Sequence, residues 1–155
     1  MASTITAAAL TVTITESIEL NGKDQGGTNT LSIGSVNEIT KRIVTVSTTE
    51  ATILTFSAAV GQGTYVAANV RYIRFTNLDD TNYIMLTFKD EDNTEFRVKV
   101  DAGQSFIFNG DNSGGAVDTM KANGSALSSG LADLYDVTAD ADTASCDLEI
   151  FIASV

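Results

Sequence analysis

The residues best placed to do chemistry in this chain are its carboxylates. The run Asp90-Glu91-Asp92-Asn93-Thr94-Glu95 sets oxygen ligands at alternating positions of one short segment, an arrangement that a hard cation such as calcium uses. A second cluster, Asp140-Ala141-Asp142 beside Asp133 and Asp136, repeats that spacing. Asp90, Asp92, Asp140 and Asp142 are therefore the calcium candidates. Neither cluster has the glycine or the full ligand spacing of an EF-hand loop, and a solvated hairpin tip is the plainer account of the first.

Paired carboxylates also serve glycosidases, which hold two of them roughly 5 to 10 Å apart. Sugar-binding clefts usually stack the sugar rings on aromatic side chains. This chain has no Trp, and its four Tyr and seven Phe fall mostly at positions whose parity points to a core. Other routes to catalysis are closed by composition. There is no His to move a proton near neutral pH, and the single Cys lacks the imidazole that would activate it. A lone Cys146 also cannot form an intrachain disulfide or a zinc site, and reads as a small apolar filler at the start of a strand. The expectation is a non-enzymatic protein with no cofactor.

The basic residues are few. Lys41, Arg42, Arg71, Arg74, Lys89, Arg97 and Lys99 are the main ones, and Arg97 and Lys99 share an outward parity. They can form a small patch for an acidic neighbour, or guard strands against edge-to-edge pairing. Against 20 acidic residues the 9 basic ones leave a net charge of -11, which repels phosphate backbones and anionic headgroups. No nucleic acid and no membrane partner is expected. The start Met1-Ala2-Ser3-Thr4-Ile5 lacks a basic segment and Ala7-Ala8-Ala9-Leu10 is too short to cross a bilayer, so no secretion signal or anchor is expected. The match Asn123-Gly124-Ser125 to a glycosylation acceptor is then a chance one.

The elements that must position these residues read as strands throughout. A chain of 155 residues fits one domain, able to bury roughly 68–70% of its unfolded surface; residues 1–9 are a candidate flexible arm. Leu10, Val12, Ile14, Ile18 and Leu20 share one parity and predict a long strand ending at the Asn21-Gly22 turn, with Gly26-Gly27 marking a loop. Thr30 to Ile33, Arg42 to Ser47 and Thr52 to Ser57 predict three more strands, separated by Gly34-Ser35 and Thr48-Thr49-Glu50 and arranged as a meander. Gly61-Gln62-Gly63 is a break.

Val70 to Asn77 and Tyr83 to Lys89 flank Leu78-Asp79-Asp80-Thr81-Asn82 and predict a hairpin. A second hairpin is predicted from Glu95 to Val100, with Phe96, Val98 and Val100 inward, through Asp101-Ala102-Gly103-Gln104 to Ser105–Asn109. This central block should hold the aromatic half of the core. Asn109 to Leu131, rich in Gly, Asn, Ser and Ala, reads as a long loop with room for only a short helix at Val117 to Lys121. Leu134 to Thr138 and Cys146 to Ala153 close the chain as strands, the last apolar enough to belong inside a sheet or an interface. The fold class is all-β with almost no helix: a single β-sandwich of jelly-roll or Greek-key type, its strand order not legible.

The block Val70-Arg71-Tyr72-Ile73-Arg74-Phe75-Thr76-Asn77-Leu78-Asp79-Asp80-Thr81-Asn82-Tyr83, with Phe96 to Val100 and Asp101-Ala102-Gly103-Gln104-Ser105-Phe106, resembles small virion proteins of tailed bacteriophages, particularly marine ones. The ending Asp147-Leu148-Glu149-Ile150-Phe151-Ile152-Ala153-Ser154-Val155 is similar in style. The likeness covers the second half of the chain and touches the first half only by composition. It implies a structural role on the outer surface of a virion, most simply capsid decoration or cement, made in the host cytoplasm. The implied partners are the major capsid protein or other virion proteins and further copies of the chain, with a trimer favoured. The alternative role is a tail or fibre component that binds a receptor or glycan. No functional residues carry over.

Overall fold

The structure is a computed structural model that describes residues 4–61, 63–109, 118–120 and 132–155. In chain order its strands are β1 Ala8–Glu16, β2 Glu19–Leu20, β3 Lys23–Asp24, β4 Gly27–Val36, β5 Glu38–Val46, β6 Ala51–Ser57, β7 Tyr65–Val66, β8 Val70–Asn77, β9 Ile84–Asp90, β10 Glu95–Val100, β11 Ser105–Asn109, β12 Asp118–Met120, β13 Ala132–Ala141 and β14 Cys146–Ser154. One 3-10 turn, Ala67–Asn69, precedes β8. Among the described residues no helix is long and apolar enough to cross a membrane.

Two sheets carry the body. Sheet 1 has the order β11-β8-β14-β5, and sheet 2 the order β10-β9-β13-β6-β7, with β12 pairing the start of β13. Their main strands form two sets of four, β5-β14-β8-β11 and β6-β13-β9-β10. The connections β5 to β6, β8 to β9, β10 to β11 and β13 to β14 each leave one sheet for the other, whereas β9 to β10 stays within its own. Eight antiparallel strands wound in this way are a jelly roll. The inward residues follow period two: Ile73 and Phe75 on β8, Leu148, Ile150 and Ile152 on β14, Leu86 and Phe88 on β9, all at most 1% exposed.

That winding corrects several expectations. Val70 to Asn77 and Tyr83 to Lys89 do not form a hairpin; β8 pairs with β11 and β14, β9 with β10 and β13, and residues 78–82 arch between the sheets. Five residues extend roughly 16 Å, enough to cross the ~10 Å gap between stacked sheets. The pair expected from Glu95 to Asn109 fails for the same reason: β10 returns along β9, with residues 91–94 as the tip, while β11 joins β8. The meander fails as well. β4 pairs with β1, β5 with β14, and β6 with β13 and β7. Within β4, Gly34-Ser35 forms a bulge opposite Ala9 instead of a turn, Ser35 taking a φ of 61°.

Other expectations hold. The aromatic half of the core lies in the central block, where the Phe88 ring centroid is 5.5 Å from those of Phe106 and Phe108 and 5.9 Å from that of Phe75; Phe96, expected inward, stacks on Phe88 at 4.8 Å but is 38% exposed at the rim. β14 lies inside its sheet, between β5 and β8, with the buried Cys146 at its start. Most of the stretch from Asn109 to Leu131 lies outside the described residues, as do Gln62 and the Asn123-Gly124-Ser125 match; within it, Asp118–Met120 is a strand on β13, where the sequence predicts a loop or a short helix.

Candidate functional site

The four calcium candidates are divided between the two ends of the β9–β13 ladder. Asp90, at the end of β9, is 2% exposed, and its Oδ1 accepts hydrogen bonds from the backbone N–H of Asp92 at 3.0 Å and of Thr94 at 2.6 Å. The carboxylate thus closes the β9–β10 hairpin tip, where Asn93 takes a φ of 63°, and Asp92 lies exposed in the same turn. Asp140 lies at the other end of β13 and accepts from the Arg97 guanidinium. Asp142 follows β13 on the surface. Among the described residues no three Cys, Asp or Glu side chains converge as a metal site would require. A cleft of about 560 Å³ opens beside the Asp90 turn, lined in part by Phe56, Glu91 and Tyr135, and its buried carboxylate is the one committed to turn amides.

The cations are spent on pairs. Arg97 and Lys99 do point outward from β10, but Arg97 also donates from Nε to Thr87 Oγ1 at 3.0 Å, and Lys99 sits 2.7 Å from Asp101 and over the Tyr83 ring. Lys41 Nζ and Arg74 Nη2 converge on Glu149, at 3.1 and 2.6 Å from its two carboxylate oxygens. Those two cations hold the Glu149 carboxyl below its ordinary value of 4.5. The basic residues, read either as a patch for an acidic neighbour or as guards of strand edges, are largely paired within the chain.

The outer faces of the two sheets differ in kind. That of sheet 2 is polar, with Thr87, Arg97 and Asp140 in one hydrogen-bonded line and Thr138 donating to Glu50. That of sheet 1 carries Tyr72, Ile107, Phe151 and Ala153, and the β1–β4 hairpin lies over them, packing Leu10, Val12, Leu31 and Ile33 into a second apolar cluster. The hairpin is therefore a third layer, and it covers only part of the face. On the neighbouring edge strand β5, Ile39 and Ile43 are each 58% exposed.

Beyond this base the hairpin projects as an arm. From Thr13 to Thr30 every residue except Gly26 is exposed, including Ile14, Ile18 and Leu20 at 41, 54 and 60%. Local chemistry keeps it in β form without a core. β1 and β4 are rich in Thr, and Thr15 and Thr28 face each other with hydroxyls 3.3 Å apart. Asn21 and Gly22, with φ of 53° and 72°, make the tight turn between β2 and β3 that the sequence predicts. The single strand expected from Leu10 to Leu20 breaks after Glu16, where Gly26 approaches so closely that a Cβ there would stand 2.2 Å from the Glu16 carbonyl oxygen. Of the candidate arm at residues 1–9, Ala8 and Ala9 belong to β1, and residues 1–3 lie outside the described residues.

Sequence reasoning missed the exposed pair on β5 because it began that strand at Arg42. The signal was present, since Ile39, Lys41 and Ile43 share one parity. What this surface offers is contact area with fixed charge at defined places.

Fold and surface together define a class: a jelly-roll β-sandwich with a layered, partly projecting apolar β-hairpin. The chain matches no protein-family model, no curated protein and no solved structure.

Proposed function

We propose that this chain is a non-enzymatic structural protein of a tailed-bacteriophage virion, decorating or cementing the outer capsid surface. The observation that carries the reading is the β1–β4 arm, whose exposed Ile14, Ile18 and Leu20 have no role in the chain's own core. Apolar side chains set in a row on a projecting element suit burial against a neighbour. The jelly roll supports the reading by analogy of fold alone, because viral capsid proteins, lectins and cupins share it. An excess of acidic groups suits an outward surface that must not adhere to DNA.

Peptide counting by mass spectrometry on purified particles that carry this chain tests it. A copy number in simple ratio to the major capsid protein is the expected result. A handful of copies per particle, together with binding to a glycan array or to host cells, would instead give the tail or fibre role.

A further inference from the structure

Two exposed apolar surfaces of this molecule match each other in spacing and in charge. On the arm, Ile14 and Glu16 alternate at the end of β1 and Ile18 follows two residues beyond it; on the outer face of β5, Ile39, Lys41 and Ile43 stand at successive alternate positions. All six are exposed in the single chain, so neither surface covers the other within it. We propose that the arm of one copy seats on the outer face of β5 in a second copy, the isoleucines packing together with Glu16 opposite Lys41. This goes beyond the virion reading and holds whatever object the copies build.

A second copy is favoured over an unrelated partner by charge. The chain as a whole is strongly acidic, so copies repel unless opposite charges meet locally. The arm carries Glu16, Glu19 and Asp24 against Lys23, whereas the outer face at β5 carries Lys41 and its neighbour Arg74 against Glu149. Lys41 is 60% exposed despite its contact with Glu149, which leaves its ammonium room for a second carboxylate. The spacing is symmetric about the central charge, so the isoleucine pair fixes the register while Glu16 and Lys41 fix the partner. Because donor and acceptor are different surfaces, the contact runs head to tail, and either closes into a ring or extends as a filament.

Native mass spectrometry and light scattering of the full chain over a range of concentrations test this. Assemblies heavier than the 16.3 kDa chain are expected. Ile43→Asp and Ile14→Asp each place a charge in the apolar contact, and each should weaken assembly by about tenfold or more while leaving the monomer folded, because both residues lie outside the core. Lys41→Glu should dissociate the assembly, and adding Glu16→Lys to it should restore it. Thermal unfolding of each variant checks that the fold is intact. A wild-type monomer at every concentration would overturn the proposal, as would assemblies indifferent to both Asp variants or a charge swap that restores nothing. None of these results bears on the copy count in particles, so the two readings fail separately.

Discussion

The side-chain amide of Asn77, wholly buried at the end of β8, donates from Nδ2 to the backbone carbonyl of Val100 at 3.1 Å, at the end of β10 in the opposite sheet. The same nitrogen donates to the Asn82 carbonyl at 2.8 Å, and Oδ1 accepts from the backbone N–H of Asp79 at 3.0 Å. One carboxamide therefore closes the 78–82 arch and ties the two sheets together where the chain crosses between them. Both of its Nδ2 protons and one lone pair are used, which is what makes its burial tolerable.

Asn77→Ala should cost about 2–4 kcal/mol, because it leaves the buried Val100 carbonyl and the half-buried Asn82 carbonyl and Asp79 amide without their partner. Asn77→Asp should cost at least as much, since its carboxylate oxygen would face two carbonyl acceptors. Denaturant midpoints measure both, and a loss under about 1 kcal/mol for either would mean that water replaces the amide.

Glu149 should shape the acid limb of stability. Its folded pKa lies below the ordinary 4.5 because the hydrogen bonds from Arg74, then Lys41, favour the ionised form. The unfolded chain therefore takes up the proton first on acidification. The stabilisation is fully present above about pH 4.5 and is lost as pH falls through the lower folded value. Glu149→Gln should lower stability at neutral pH by about 1–3 kcal/mol and flatten its fall below pH 4.5. Thermal melts of the two proteins from pH 7 to pH 3 read the difference.

Asp90 is expected to act as an acceptor and not as a charge. Asp90→Asn keeps an oxygen where Oδ1 meets the Asp92 and Thr94 amides and should cost under about 1 kcal/mol, whereas Asp90→Ala should cost about 1–3. A calcium chelator should leave the melting temperature of the wild type unchanged. A drop on chelation that Asp90→Asn abolishes would put a cation at the hairpin tip.

The Cys146 thiol should be inert until the protein unfolds. Burial raises its pKa above the ordinary 9.0, the carboxylates of Asp79, Asp142 and Asp147 add to the effect, and Sγ lies 3.4 Å from the Ala144 carbonyl oxygen. Thiolate, the reactive form, is thus scarce as well as enclosed. An aromatic disulfide reagent should label it only at the rate of opening, and rapid labelling of the native protein at pH 8 would contradict this.

Much of this protein is legible in its sequence where the cause is local. Period-two alternation fixes strands and their inward faces, so Phe75, Phe88, Phe106, Phe108, Ile150 and Ile152 sit in the core as their parity requires. Turns made by their own side chains are equally legible: Asn21-Gly22 adopts the left-handed pair that those residues favour, and the Asp90 run is a hairpin tip. Strand pairing is not legible, because the ladder is built from backbone groups that every residue shares. A short polar loop after β8 suits a return along the same strand as well as an arch to the opposite sheet. Only burial of both strands' inner faces selects the arch, and burial belongs to the whole fold. For the same reason the tertiary structure alone decides that Asn77 bridges two sheets, that Glu149 gathers Lys41 and Arg74, and that Ile14 and Ile43 are left exposed while Leu10, on the same face of β1 as Ile14, is covered.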